Sequence, residues 1–144
     1  VVFDLPEVVP IAREEIARAR LAERVGTVAG DFLADPLGDG YDVLYVSNII
    51  HSHGPAQTVA LFDRCRAALV PGGTIVVKDF FLDDTRTRPA IAARFSVNML
   101  VGTGEGKSYT LSETRELLAR AGFGGFRVVE VARASALLVG RLGA

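Results

Sequence analysis

A chain of 144 residues, 49% hydrophobic and 23% charged, can bury roughly two thirds of its unfolded surface in one core, and this composition excludes intrinsic disorder. The net charge of −1 is spread over interleaved arginines and acids, so neither a nucleic acid nor an anionic membrane surface is expected as a partner. No apolar run approaches the ~20 residues that span a bilayer, no signal peptide is visible, and a single cysteine, Cys65, allows no intrachain disulfide, which fits a cytoplasmic setting.

In chain order, Val1 to Asp4 is an apolar run ending in an acid and reads as a buried strand. Pro6 is expected to open a helix reaching about Ala22, with Glu7, Glu14 and Glu15 at its N-terminal end and Glu14 spaced to pair with Arg18. Val25 to Ala29 reads as a second strand that runs into Gly30, Asp31 and Phe32. Asp35 to Gly40 is turn chemistry. Tyr41 to Ile50 is nearly all apolar, as a central parallel strand buried on both faces should be. Pro55 to Leu69 has helical spacing, with Cys65 read as a small buried apolar residue.

Pro71-Gly72-Gly73 is expected to stop that helix and turn into a strand from Thr74 to Phe81. After a polar stretch from Asp83 to Pro89, a helix is predicted to about Val101, followed by a glycine-rich loop, Gly102 to Gly106. That loop lacks the preceding strand and the Lys-Ser/Thr ending of a Walker phosphate loop. Ser112 is the expected cap of a helix with an apolar face at Leu117, Leu118 and Ala121, and Gly122 ends it. Phe126 to Val131 and Ala136 to Leu142 read as antiparallel strands joined by a turn around Arg133 to Ser135. The alternation predicts a single α/β domain: a doubly wound, Rossmann-like sheet, mostly parallel, with an antiparallel C-terminal hairpin.

In such sheets, ligands bind beyond the carboxyl ends of the parallel strands. Asp4, Asp31, Phe32 and His51 are all expected there. A carboxylate at Asp4 suits a ribose diol. Asp31 can accept from an adenine amine while Phe32 lies on the purine face. His51 is a natural proton acceptor. His51 and His53 do not make a metal site, because two ligands are too few. Each residue also has a plain structural reading: local backbone N–H groups for the two acids, core packing for Phe32, a strand-end cap for His51, and an exposed loop for His53. An acid after the second strand would equally serve a nicotinamide dehydrogenase.

The series Phe3-Asp4-Leu5-Pro6, Gly30-Asp31-Phe32, Asn48-Ile49-Ile50-His51, Ala68-Leu69-Val70-Pro71-Gly72-Gly73 and Ala121-Gly122-Phe123 resembles the class I S-adenosylmethionine-dependent O-methyltransferases. The similarity is to the caffeate and acetylserotonin type and its bacterial antibiotic-pathway relatives, and it runs over essentially the whole chain. The resemblance implies methyl transfer from S-adenosyl-L-methionine to a hydroxyl of a small aromatic acceptor. It assigns the ribose to Asp4 and the adenine to Asp31 and Phe32, with Leu5, Ser47 and Asn48 beside the cofactor. It makes His51 the general base, Asp79 the group that orients it (Lys78 or an arginine being the alternative partner of Asp79), and Met99 an acceptor-pocket residue. It also implies a homodimer formed through an N-terminal helical domain.

The chain departs from the family pattern in several places. The glycine-rich cofactor loop and the strand before it would precede Val1. Plant members often carry a lysine where Ser47 stands and an acid where Ser52 stands. A second histidine-supporting glutamate would fall at Ser108, while Glu105 is nearby but out of register. A protein of this fold that binds the cofactor without transferring methyl therefore stays open. The resemblance also places a strand between Val1–Asp4 and Tyr41–Ile50, so these two are expected not to pair directly, the gap being filled from upstream or by another segment.

Overall fold

The computed structural model describes residues 1–132 and 135–143. The chain divides into two compact units, Val1–Gly38 and Asp39–Ala144.

The first unit is a βαβ element. Strand β1 (Val2–Asp4) pairs in parallel with β2 (Thr27–Ala29), Val2 opposite Thr27 and Asp4 opposite Ala29. Helix α1 (Val9–Arg18) makes the crossover and buries Val9. It is shorter than the sequence predicts. The Leu5 carbonyl takes the N–H groups of both Val8 and Val9 in a turn, so Pro10 rather than Pro6 stands in the first helical turn. Arg20, at φ 58°, lies beyond its end. Arg18 pairs with Glu15, three residues before it, instead of Glu14. The Cβ-less Gly30 lets β2 exit against the Phe3 ring: a Cβ there would lie 2.6 Å from Phe3 Cζ.

The second unit holds β3 (Tyr41–Ser47), α2 (Pro55–Ala68), β4 (Leu69–Asp79), α3 (Ala90–Thr103), α4 (Leu111–Arg120), β5 (Phe123–Ala132) and β6 (Ser135–Leu142). Its sheet runs β3-β4-β6-β5. β3 and β4 are parallel, and β6 is antiparallel to both β4 and β5. This gives the mixed α/β architecture with an antiparallel C-terminal hairpin. Phe62 and Cys65 of α2, Ile75 and Val77 of β4, Leu118 of α4 and Leu138 of β6 form the core. Among the described residues, β1 and β3 belong to separate sheets.

Several boundaries differ from expectation, each for a local reason. The Tyr41 strand ends at Ser47, because Asn48 turns left-handed at φ 56° and Ile50–Ser52 forms a 3-10 turn. Among the described residues β3 pairs with β4 on one side, and Val43 and Tyr45 are exposed. β4 starts directly after α2, with Pro71-Gly72-Gly73 inside it. Gly72, at φ 74°, absorbs the extra residues where the register shifts between Tyr41 and Val43. Helix α4 is capped by Thr110, not Ser112. Thr110 Oγ1 accepts the Glu113 N–H at 3.0 Å and Glu113 Oε2 accepts the Thr110 N–H at 2.9 Å. β5 already begins at Phe123. Of the expected hairpin turn, Ser135 is part of β6, and Arg133 and Ala134 lie outside the described residues. No helix among the described residues is long and apolar enough to cross a membrane.

Candidate active site

In the first unit, the parallel pairing brings Asp4 and the Gly30-Asp31-Phe32 turn to the same carboxyl end of β1 and β2. The Gly30 N–H donates to the Asp4 carbonyl at 3.0 Å, which ties the two strand exits together. Asp4 Oδ1 accepts the Leu5 N–H at 2.8 Å. Asp31 Oδ1 accepts the Leu33 N–H at 2.8 Å, and the Asp31 N–H itself donates to Asp35 Oδ2 at 2.8 Å. These contacts fix each carboxylate by its near backbone. Both acids and Phe32 remain half-buried and Leu5 is exposed. The acceptor set fits a nucleoside: two carboxylates with accessible surface for hydroxyl and amine protons, and an aromatic ring in the same turn.

In the second unit, the end of β3 and the end of β4 deliver two further groups. The Asn48 N–H donates to the Lys78 carbonyl at 2.9 Å, and Lys78 Nζ donates to Asn48 Oδ1 at 2.9 Å. This closes the strand pair just before the 3-10 turn. The turn then swings His51 over Asp79, the last residue of β4. His51 Nδ1 lies 2.7 Å from Asp79 Oδ1, and the Asp79 side chain is only 3% exposed. The Phe80 N–H also donates to Asp79 Oδ1, at 2.8 Å. A carboxylate accepts here, so Nδ1 carries the proton and the lone pair is on Nε2. Asp79 thus faces His51, and not Lys78.

Two aromatic rings complete the surroundings. Phe95 of α3 meets the His51 imidazole edge-on, centroids 4.9 Å apart, and Phe80 packs on Phe95 at 4.9 Å. Neither ring was singled out in the sequence. The available signal was spacing: Phe95 precedes Met99 by one helical turn. Met99 itself is half-buried on α3, its carbonyl accepting the Thr103 hydroxyl at 2.7 Å. Ser47 is half-buried at the end of β3.

The neighbouring candidates have other partners. Ser108 turns away toward α3: its hydroxyl donates to the Ala92 carbonyl at 3.1 Å and its N–H to Ser96 Oγ at 3.0 Å. Glu105 lies against Gly54, where a Cβ would come within 2.5 Å of Glu105 Oε2. His53 is half-buried, not loop-exposed, with Nδ1 3.3 Å from Gln57 Oε1. Among the described residues, no group of three or more His, Cys, Asp or Glu side chains is arranged to hold a metal.

Comparison with known proteins adds an independent observation. A family model described as the O-methyltransferase domain matches residues 1–124. The 3-hydroxy-5-methyl-1-naphthoate 3-O-methyltransferase of Streptomyces sahachiroi is 40% identical over 131 residues, 91% of this chain and 38% of that protein. The tetracenomycin polyketide synthesis 8-O-methyltransferase of Streptomyces glaucescens is 38% identical over 139 residues, 96% of this chain and 41% of that protein. The crystal structure of human N-acetylserotonin methyltransferase in complex with SAM superimposes with a TM-score of 0.88 at 31% identity, covering 99% of this chain and 40% of that one. The chain thus spans about two fifths of the length of the curated relatives it matches.

Proposed function

The chain belongs to the O-methyltransferase domain family, and from that premise we propose that its residues bind S-adenosyl-L-methionine and transfer methyl to a hydroxyl of a small aromatic acceptor. Bound cofactor supplies an electrophilic methyl group on a sulfonium. Everything else is done by the chain. Asp4 accepts from the ribose hydroxyls, Asp31 from the adenine amine, and Phe32 covers the purine face. Leu5, in the first unit, and Ser47 and Asn48, in the second, are further cofactor-binding residues of the proposal. His51 Nε2 takes the proton of the acceptor hydroxyl, and Asp79 holds the imidazole in that tautomer and stabilises the cation that forms.

The single observation that carries this reading is the 2.7 Å pairing of His51 with a buried Asp79. A phenol is poorly ionised at neutral pH, so a held base contributes about 10²–10⁴-fold to the rate. The second support is the aromatic wall. Phe95 stands edge-on to the imidazole and Phe80 backs Phe95, which suits a planar acceptor such as those named for the two Streptomyces relatives. Met99 extends that wall along α3. The two compact units act as parts of one catalytic domain, in a cytoplasmic homodimer.

The test is methyl transfer from the labelled cofactor to a panel of hydroxylated naphthoates and polyketide phenols, using the intact protein. His51→Ala should cut transfer by about 10²–10⁴-fold while S-adenosylhomocysteine still binds. A folded intact protein that binds NAD and not S-adenosylhomocysteine would overturn the reading.

A further inference from the structure

The turn that carries His51 is held from two sides. Asp79 grips the ring. On the other side, the loop between α3 and α4 grips the backbone. Tyr109, only 2% exposed, donates its hydroxyl proton to the His53 carbonyl at 2.8 Å. Thr58 Oγ1 lies 3.2 Å from the same phenol oxygen and donates to the Gly54 carbonyl at 3.0 Å. Carbonyls only accept, so the two hydroxyl protons go to two consecutive carbonyls of the segment that leaves the 3-10 turn. Gly106 closes the grip: a Cβ there would lie 2.5 Å from the His51 carbonyl oxygen and 3.2 Å from Ser52 Cα.

Tyr109 is itself a fixed post. Its carbonyl accepts the Leu82 N–H at 2.9 Å, on the segment that continues from Asp79. Lys107 Nζ stands 4.7 Å from the ring centroid and is bound to Glu113 at 2.8 Å. Burial raises the Tyr109 pKa above its ordinary value; the neighbouring Thr58 hydroxyl works against this, and the carboxylates of Glu113, Glu105 and Asp79 add to it. The phenol therefore stays a donor at neutral pH. Ser108, next in the chain, is engaged with α3 and lends His51 nothing.

We propose that Tyr109 is a positioning residue for His51: its hydroxyl fixes the His53 carbonyl, and with it the turn that keeps His51 Nδ1 on Asp79. The proposal rests on the reading of His51 as the general base. Its test is Tyr109→Phe in the intact protein, which removes one oxygen and keeps the buried ring. kcat should fall by about ten- to a hundredfold, the scale of a small displacement of a catalytic group, with both KM values unchanged. The downfield proton resonance of His51 Nδ1–H, identified by its loss in His51→Ala, should shift or broaden.

A merely structural tyrosine would lower the melting temperature and leave the kcat and the resonance of the folded enzyme where they were. That result overturns the proposal. Should Tyr109→Phe not fold, 3-fluorotyrosine placed at position 109 alone keeps ring and hydroxyl but changes the strength of the bond donated to the His53 carbonyl; the His51 resonance should shift, and an unchanged resonance overturns the proposal equally. If His51→Ala retains the parental rate, the general-base reading fails. The resonance then decides the positioning role alone, a shift supporting it and no shift overturning it.

Discussion

The two units hold their candidate carboxylates in opposite ways. In the first, Asp4 and Asp31 are fixed by N–H groups one and two residues away and stay half-buried. In the second, Asp79 is 2% exposed and meets a histidine 28 residues away in sequence. The first arrangement suits binding. Local turns place the acids, and their open oxygens can exchange water for ligand hydroxyls at little cost. The second suits catalysis. A buried carboxylate keeps one tautomer of one imidazole, and only tertiary structure can assemble that pair.

The largest expected effect breaks the second arrangement alone. Asp79→Asn keeps the shape but offers an amide in place of one acceptor oxygen. kcat for methyl transfer should fall by about 10²–10⁴-fold, with affinity for S-adenosylhomocysteine unchanged by calorimetry. Breaking the first arrangement should do the reverse. Asp4→Ala removes a charged acceptor worth about 1.5–3 kcal/mol, so S-adenosylhomocysteine should bind roughly ten- to a hundredfold more weakly.

Two smaller effects sharpen the comparison through stability. Gly30→Ala drives a methyl group into the Phe3 ring, an overpacking that should destabilise the fold by about 1–3 kcal/mol, read as a lowered thermal midpoint. In the second unit, burial alone would raise the pKa of Glu113, yet hydrogen bonds from Lys107, the Thr110 N–H and Arg86 outweigh it and hold the pKa below its ordinary 4.5. The unfolded chain then binds that proton more readily than the folded one. The stability contributed by Glu113 is full above pH 4.5 and is lost as the pH falls through the lower folded value. Glu113→Gln should therefore lose stability at neutral pH and show a flatter acid limb in thermal melts as the pH falls below 4.5.

Legibility in the sequence followed the same division. The strand exits at Asp4 and Asp31 were readable because apolar run, acid and turn are contiguous. The alternation of elements was readable, and so were helix α2, with its buried Cys65, and the antiparallel hairpin. His51 and Asp79 could be named only through a resemblance that links distant motifs. Phe95, Phe80 and Tyr109 were not marked at all, since nothing local distinguishes an aromatic residue that only fills a core from one that meets an imidazole, as Phe95 does, backs that ring, as Phe80 does, or holds the His53 carbonyl, as Tyr109 does. Other misses were avoidable. Thr110 and Glu113 satisfy the capping-box spacing, whereas Ser112 has Arg115 three residues on. The early start of β4 was hidden because Pro-Gly-Gly reads as a stop, and only pairing with β3 makes it a bulge inside a strand.

The most direct test of this division of labour is a calorimetric titration of S-adenosylhomocysteine into the intact protein and into its Asp4→Ala and His51→Ala forms, with NAD as the control. The account predicts binding by the parent and by His51→Ala, weakened binding by Asp4→Ala, and no response to NAD. Equal affinity in the parent and Asp4→Ala, or loss of binding in a folded His51→Ala protein, would contradict it.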